Sequence, residues 1–164
     1  MLHDALDHAL SPLATGPDYP RFLAMQYSAR APIEDWFATS GSSPRPPDQT
    51  SLIAADLREL QCPTPLPELG FEPVVEGETI GIAWALAGSS LGNKFMLKRR
   101  RSVDGGIATR FLADGAMPHF WRELLPALET VASRECTEQA IAGASRVFDH
   151  FLAVTQRGAR RLAA

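Results

Sequence analysis

The stretch Gly81–Arg101, GIAWALAGSSLGNKFMLKRRR, is central to the interpretation of the whole chain. Its first half is apolar with small residues and its end is basic, a pattern typical of a buried helix that runs outward to solvent. Gly88 and Gly92 lie four positions apart, so on a continuous helix they share one face. Each glycine costs about 1 kcal/mol of helix stability relative to alanine, so we expect an interaction that offsets this cost.

A glycine face has two structural explanations. It lets another object approach the helix backbone closely, and the Gly-Ser-Ser-Leu-Gly segment at 88–92 also offers a place for the helix to bend. The close object is either a second helix, the commoner use of such small-residue spacing, or a flat ligand. The glycine face alone does not decide between these alternatives.

Length, composition and charge are those of an ordinary globular domain. The chain has 164 residues, of which 45% are hydrophobic and 21% are charged. We therefore expect one domain over residues 1–164 with a real core. The formal net charge of -3 argues against a nucleic-acid-binding protein, which would present a basic surface to phosphates.

The termini, cysteines and apolar runs predict where the protein works. Met1–Asp4 lacks a basic region followed by an apolar core, so we expect no secretory signal. Cys62 and Cys136 are too few for a disulfide framework and have no metal-binding spacing with histidine. The longest apolar run, Ile80–Leu91, is interrupted by glycine and serine, which argues against a membrane span. These features favour a cytoplasmic protein with reduced thiols.

Hydrophobic periodicity predicts an all-α domain of about six or seven helices, with no confident strand. An irregular, proline-rich connection is predicted for residues 62–77. The expected helices are one over residues 2–13, one from the N-cap Asp18 with a kink at Pro32, one from Asp48 or Thr50 to Leu60, the glycine-bearing helix ending before Asp104, one beginning near Pro118, and a last one from Thr137.

The candidate metal-binding residues are few. The chain has four histidines, His3, His8, His119 and His150. Histidine and carboxylate spacings typical of zinc or di-iron sites are absent from the sequence, including Glu-x-x-His. A single histidine on a partly apolar helix is more often a surface or core residue than a metal ligand. These patterns alone therefore assign no chemistry.

Several short motifs occur in an order that resembles one known family. They are HDALD at 3–7, YPRFL at 19–23, PIE at 32–34, DLREL at 56–60, Gly81-x6-Gly88 followed by SSLGNKF, RFL at 110–112, Trp121-Arg122 and the segment 144–151. This ordered set is similar to the bacterial biliverdin-producing heme oxygenases and covers nearly the whole chain. Its most specific part is the Gly-Ser-x-Leu-Gly element on an Ile-Gly-x-x-Trp/Tyr helix.

The resemblance implies a single-domain, multi-helix heme oxygenase-like bundle with heme between a proximal helix and a glycine-kinked distal helix. It implies that His3 is the axial ligand of the iron, with Leu6 on the same helical face beside the heme. Gly88 and Gly92 would form the distal platform. Ser89 would hold an ordered water there, and the competing interpretation is that Ser89 only bends the helix. Gly88, Ser89 and Gly92 are thus the predicted catalytic residues.

Basic and aromatic residues complete the implied heme site. By analogy, Lys98 and Arg101 would bind the heme propionates near the end of the distal helix, where the helix dipole also favours cations. Lys94 and residues 99–100 would be a solvated helix end or part of a basic rim for an acidic electron donor such as ferredoxin. Phe148 would lie against the heme edge, although it also fits an ordinary core position.

The implied activity is the O2- and electron-dependent opening of heme to biliverdin, CO and iron, with heme as both cofactor and substrate. Electrons would come from a ferredoxin or a reductase. Two alternatives stay open, namely a heme-binding or heme-sensing protein of the same fold without turnover, and a helical interaction domain whose glycine face packs against protein. The sequence differs from the family pattern at two places: only Met1 and Leu2 precede His3, and Ala87 replaces a frequent glutamate.

Overall fold

Helices make up all the regular secondary structure that the computed structural model describes, which covers residues 18–72, 75–130 and 133–162. The all-α prediction is therefore confirmed for these residues. No helix among them has both the length and the apolar character needed to cross a membrane. The helix predicted over residues 2–13, together with His3 and Leu6, lies outside the described residues.

The helical boundaries follow the sequence pattern closely. A short 3-10 turn, Ser89–Gly92, joins the helices Thr79–Gly88 and Asn93–Asp104, and another 3-10 turn, Glu76–Glu78, leads into the first of these. The helices are α1 (Tyr19–Ser40), α2 (Thr50–Glu59), α3 (Thr79–Gly88), α4 (Asn93–Asp104), α5 (Arg110–Ala113), α6 (Ala116–Glu129) and α7 (Arg134–Leu162).

Three boundaries show the local physics. Helix α4 ends at Asp104, one residue beyond the predicted end, because Gly105 takes a left-handed φ of 71° that glycine adopts at little cost. Helix α7 begins at Arg134, three residues before the predicted start. Asp18 occupies the N-cap of α1, but its side chain makes no capping hydrogen bond and instead accepts one from Arg21 at 3.4 Å. The prediction that Asp18 occupies the N-cap position is confirmed.

Two carboxylates, one half-buried and one fully buried, hold neighbouring helices together. Glu34 on α1 accepts hydrogen bonds from the backbone N–H groups of Gln49 and Thr50, at 2.9 and 3.1 Å, and so caps α2. Asp56 on α2 is fully buried and accepts bonds from the N–H groups of Arg110 and Phe111, both at 3.0 Å. These bonds satisfy helix-start donors and hold α5 against α2.

Helix α3 is almost entirely buried, and its closest neighbour is α7. A Cβ atom added to Gly81 would overlap the backbone carbonyl of Ala140, with the carbonyl carbon at 2.6 Å. On the partner helix, a Cβ added to Gly143 would overlap the carbonyl of Glu78, with the carbon at 2.9 Å. Two glycines, one on each helix, therefore let the backbones meet in what we call the α3–α7 crossing.

An ion pair and two apolar clusters support this arrangement. Arg146 on α7 donates two hydrogen bonds, each 3.0 Å, to the nearly buried carboxylate of Glu78 at the start of α3. One cluster surrounds α3 and contains Ala29, Ile33, Phe37, Phe71, Ile82, Ala83, Ala85, Leu86, Leu124, Val147 and Phe151. The other joins α1, α2 and α5 and contains Tyr19, Phe22, Leu23, Ile53, Leu57, Phe111 and Leu112.

Candidate functional site

The candidate site is built where α3 stops and the 3-10 turn Ser89–Gly92 begins. The hydroxyl of Ser89 donates to the carbonyl of Leu86 at 2.7 Å, and that of Ser90 donates to the carbonyl of Ala87 at 2.6 Å. Such bonds to the preceding turn compete with the regular helix ladder and favour a tighter turn. The serines therefore account for the interruption of the helix, which supports the helix-bending interpretation of Ser89.

A cavity of about 550 Å³ lies beside this turn, and we call it the interruption cavity. Its volume falls within the roughly 300–1,000 Å³ that is usual for small-molecule and cofactor sites. The walls are mostly aromatic and aliphatic, with a few polar groups. The lining residues are Phe22, Gln26, Arg30, Trp84, Ala85, Leu86, Gly88, Ser89, Leu91, Gly92, Asn93, Phe95, Met96, Phe111, Trp121, Val147, Phe148 and Phe151.

The two glycines of the interruption differ in what surrounds them. A Cβ added to Gly92 would meet no heavy atom of the described residues within 4 Å. A Cβ added to Gly88 would lie 3.1 Å from Cζ3 of Trp121, a side chain of α6. Gly88 therefore serves a close contact between helices, as well as lining the cavity, whereas Gly92 keeps open space beside the backbone.

Arg30 is the charged group of the cavity. It is 1% exposed, and it extends from α1 to the interruption. Its Nη2 donates to the hydroxyl oxygen of Ser89 at 2.7 Å, and its Nε donates to Oε1 of Gln26 at 3.0 Å. Its Nη1 is buried and has no hydrogen-bond partner in the described part of the chain. Burial lowers the pKa of Arg30 to about 10, although the Glu34 carboxylate opposes this shift.

The bonds of Ser89 limit what this side chain can do. Its hydroxyl hydrogen is directed to Leu86, and its oxygen accepts a hydrogen bond from Arg30. A hydroxyl has one hydrogen to donate and two lone pairs to accept, so one acceptor position of Ser89 is still available. Ser89 can therefore accept from a water in the cavity, while it donates to the helix.

Aromatic residues form the other walls, and Phe148 on α7 is one of them, as the resemblance implies. Trp84 and Trp121 lie together with their ring centroids 5.6 Å apart. At the rim, Leu91 and Phe95 are 54% and 68% exposed, which is high for large apolar side chains. The cavity thus has mostly apolar walls and an apolar mouth.

The basic end of α4 divides into two kinds of residue. Lys98 and Arg101, the expected propionate ligands, are exposed and lie outside the cavity lining. Arg100 is buried, with its guanidinium carbon 3.6 Å from the ring centroid of Tyr19, and it donates to the carbonyl of Ile107 at 3.3 Å. Arg100 is thus part of the fold, whereas its neighbours face solvent.

The two histidines within the described residues have other roles. His150 on α7 is nearly buried, lies 3.1 Å from the carbonyl oxygen of Ala29, and packs edge-on against Phe71. Burial lowers the pKa of His150, and the bond to Ala29 opposes the shift. His119 is exposed and pairs with Glu123 at 3.2 Å. Across the described ranges, no group of three or more His, Cys, Asp or Glu residues could hold a metal ion.

The segment 88–92 also matches Gly-x-Ser-x-Gly, the pattern around the nucleophile of α/β-hydrolases, with Ser90 in the nucleophile position. The structural setting is different. Ser90 is 3% exposed, its hydroxyl donates to Ala87, and it lies between two helices rather than between a strand and a helix. Ser90 therefore has a structural role in the turn.

Sequence reasoning missed Arg30 and most of the aromatic wall. The signal for Arg30 was its place on the buried stripe of α1, four residues after Gln26 and three before Ile33. A charged residue on such a stripe is rarely buried without a specific partner or function. Phe22, Phe111 and Trp121 fit ordinary core positions in the pattern, and only the packing places them at a cavity.

Comparison with known families and proteins adds no assignment. No family model matches the chain, and a search of curated proteins gives no match. The functional argument therefore rests on the interruption cavity and the residues around it.

Proposed function

We propose that this protein is a heme oxygenase that binds heme in the interruption cavity and opens it to biliverdin, CO and iron. The observation that supports this most directly is that two distant parts of the chain, residues 88–92 and the part of α7 around Phe148, meet at one cavity. Gly88, Ser89, Gly92 and Phe148, which the family resemblance selects as heme contacts, all line the same cavity. A resemblance carried by unrelated short motifs would not require this.

The cavity has the properties that a heme requires. A porphyrin is flat and mostly apolar, and aromatic side chains from several helices provide apolar walls. Gly92 leaves the backbone of the interruption open on one side, so a flat ring can approach it without meeting a side chain. Volume, wall chemistry and the open glycine therefore fit this group.

The proposed axial ligand is His3, which the family resemblance implies. His119 and His150 lie outside the cavity lining and interact with other residues. Of the remaining two, His3 and His8, the proposal assigns the iron to His3, because it belongs to the family motif. A neutral imidazole is the usual proximal ligand where the opposite heme face must stay open.

Bound heme would supply both the redox-active iron and the ring that is opened, with O2 and electrons from a donor such as ferredoxin or a reductase. The chain itself would bind, orient and protect it. The aromatic walls would limit the access of water, and the open space beside Gly92 would let the bound group approach the backbone. Arg30 and Ser89 form the polar group in this otherwise apolar cavity, where Ser89 can accept a hydrogen bond from a water.

The exposed cations of α4 fit a role outside the cavity. Lys98 and Arg101 lie on the helix that continues from the interruption, so they would attract the propionates at the cavity mouth. With Lys94 and Arg99 they also form a basic surface for an acidic electron donor. We expect turnover with ferredoxin to weaken as ionic strength rises, whereas turnover with a small neutral reductant should change little.

Hemin titration tests the proposal, with His3→Ala and His8→Ala as a matched pair. The unmodified protein and His8→Ala should give a Soret band, and His3→Ala should lose the axial-ligand signature. Added imidazole should restore that signature in His3→Ala. Equal spectra for the two variants would refute the assignment of His3, and the absence of a Soret band in the unmodified protein would refute the heme-binding proposal.

A reductant then separates turnover from simple binding. Loss of the Soret band with appearance of the red-absorbing bilin spectrum indicates an oxygenase, and a persistent Soret band indicates a heme carrier or sensor. The second function has one observation in its favour, because the hydroxyl hydrogen of Ser89 is committed to Leu86. A Ser89 that cannot donate would leave proton delivery to water alone.

A further inference from the structure

Arg30 has a feature that the proposed function does not use. Its guanidinium is almost completely buried at the wall of the interruption cavity, and its Nη1 has no hydrogen-bond partner among the described residues. Buried polar groups in folded proteins are nearly always paired, and a buried charge is costly without compensation. An arginine kept in this position calls for a functional explanation.

The neighbouring groups satisfy Arg30 only in part. Gln26 and Ser89 accept one bond each, from Nε and Nη2. The rings of Phe111 and Phe151 lie with their centroids 5.3 and 5.8 Å from the guanidinium carbon, where they attract its charge weakly. All four neighbours are neutral, so none of them cancels the positive charge.

In the described part of the chain, the carboxylates make their hydrogen bonds and ion pairs with groups other than Arg30. Glu34 is the carboxylate that acts on the charge of Arg30, and it lies one helical turn further along α1. Its oxygens accept bonds from Gln49 and Thr50 at the start of α2. None of the ion pairs within the described ranges includes Arg30. Among the described residues, the cavity therefore holds an excess positive charge beside an N–H donor that has no acceptor.

We infer that Arg30 makes the interruption cavity selective for a ligand with an anionic acceptor group, which accepts a hydrogen bond from Nη1. The ligand class is a flat apolar molecule that carries or coordinates an anion. This inference deepens the proposed function, because heme offers two such sources, a propionate and an anion bound to the ferric iron. It can be tested without heme.

The test compares two dyes that share an aromatic skeleton, the anionic anilinonaphthalene sulfonate and the neutral phenylnaphthylamine. Heme-free protein is titrated with each dye, and the dissociation constants come from fluorescence. Arg30→Met should weaken binding of the sulfonate dye about tenfold or more, the size expected for one charge-assisted hydrogen bond in a dry site. Binding of the neutral dye should change by less than about twofold, because methionine keeps the apolar wall.

Two further variants make the result specific. Arg100→Met removes another buried arginine, one that stacks on Tyr19 outside the cavity, and should leave both dissociation constants unchanged. Arg30→Lys keeps the charge and should retain most of the preference for the sulfonate dye. Arg30→Lys also covers the case in which Arg30→Met fails to fold. Three results would each overturn the inference. They are an unchanged dye preference in Arg30→Met, a lost preference in Arg30→Lys, and a lost preference in Arg100→Met.

Heme-loaded protein distinguishes the two anion sources. If the partner of Arg30 is an anion on the iron, azide should bind ferric Arg30→Met about tenfold more weakly, while neutral imidazole binds equally to both proteins. If it is a propionate, Arg30→Met should instead weaken hemin and leave hemin dimethyl ester unchanged. If the unmodified protein gives no Soret band with hemin but still prefers the sulfonate dye, the proposed function is refuted and this inference stands. If it binds hemin but shows no preference between the dyes, this inference is refuted and the proposed function stands.

Discussion

The α3–α7 crossing and the interruption cavity use the same residue type for opposite purposes. At the crossing, Gly81 and Gly143 remove side chains so that two backbones can touch. At the interruption, Gly92 lacks a side chain where a Cβ atom would meet none of the described residues within 4 Å. The comparison teaches that spacing does not give a glycine its role; the role depends on what a Cβ atom would meet.

The two regions also differ in how they would respond to change. A backbone carbonyl within a packed helix cannot move aside, so the obstacles at the crossing are rigid. The obstacle at Gly88 is one edge of the Trp121 ring, and Gly92 has none. Substitutions at the crossing should therefore change stability, and substitutions at the interruption should change ligand binding.

The largest effect is expected for Gly143→Ala at the crossing. The new methyl group would overlap the carbonyl of Glu78, so α3 and α7 would have to separate. We expect the free energy of unfolding to fall by about 3 kcal/mol, measured by urea denaturation. Gly158→Ala is the control, because it lies in the same helix with open space around it and should gain up to about 1 kcal/mol. Equal stabilities of the two variants would contradict the rigid crossing.

The second effect concerns the cavity, through Gly92→Leu. The leucine has room to extend without displacing protein, so the free energy of unfolding should change by less than about 1 kcal/mol. The same side chain would fill space that the proposed ligand needs, so hemin affinity should fall about tenfold or more. Gly158→Leu should leave hemin affinity unchanged. Hemin binding that tolerates Gly92→Leu would place the ligand elsewhere.

The sequence predicted the fold better than the site for a physical reason. Helix bounds follow from local rules, and Gly105 ends α4 within one residue of the predicted position. The cavity depends on contacts between distant residues, such as Arg30 with Ser89, fifty-nine positions apart. Periodicity marks Arg30 as facing inward, but only the packed structure shows that no carboxylate of the described residues pairs with it. Gly88 likewise needed the position of Trp121 before its role was clear.

The pH dependence of stability tests the packed region around the α3–α7 crossing, because His150 lies on α7 seven residues after Gly143. Burial lowers its pKa from the ordinary value of 6.5, so the unfolded chain binds a proton more readily than the folded chain. The stability from the neutral ring is complete above that value and is lost as the pH falls toward the lower, folded pKa. The slope for one such proton cannot exceed about 1.4 kcal/mol per pH unit.

The variant His150→Gln removes this titration. The difference in unfolding free energy between the unmodified protein and His150→Gln should shrink between about pH 7.5 and about pH 5.5, the range in which histidine titrates. Other groups titrate in both proteins and cancel in the difference. A difference that stays constant over this range would show that the buried imidazole has an ordinary pKa.

The smallest effect is expected for Gly88→Ala. Gly88 lines the interruption cavity, but like the glycines of the α3–α7 crossing it also makes a close contact with another helix. Alanine favours the helix by about 1 kcal/mol, whereas the new methyl group would press on Trp121, 3.1 Å away. The ring is partly exposed and can shift by a few tenths of an ångström, so the two effects should nearly cancel and stability should change by less than about 1 kcal/mol. The ring movement should still appear as a change in tryptophan fluorescence, and Gly158→Ala should show none. A loss as large as that of Gly143→Ala would mean that Trp121 is held as rigidly as a backbone carbonyl, and the interruption would then be a second crossing.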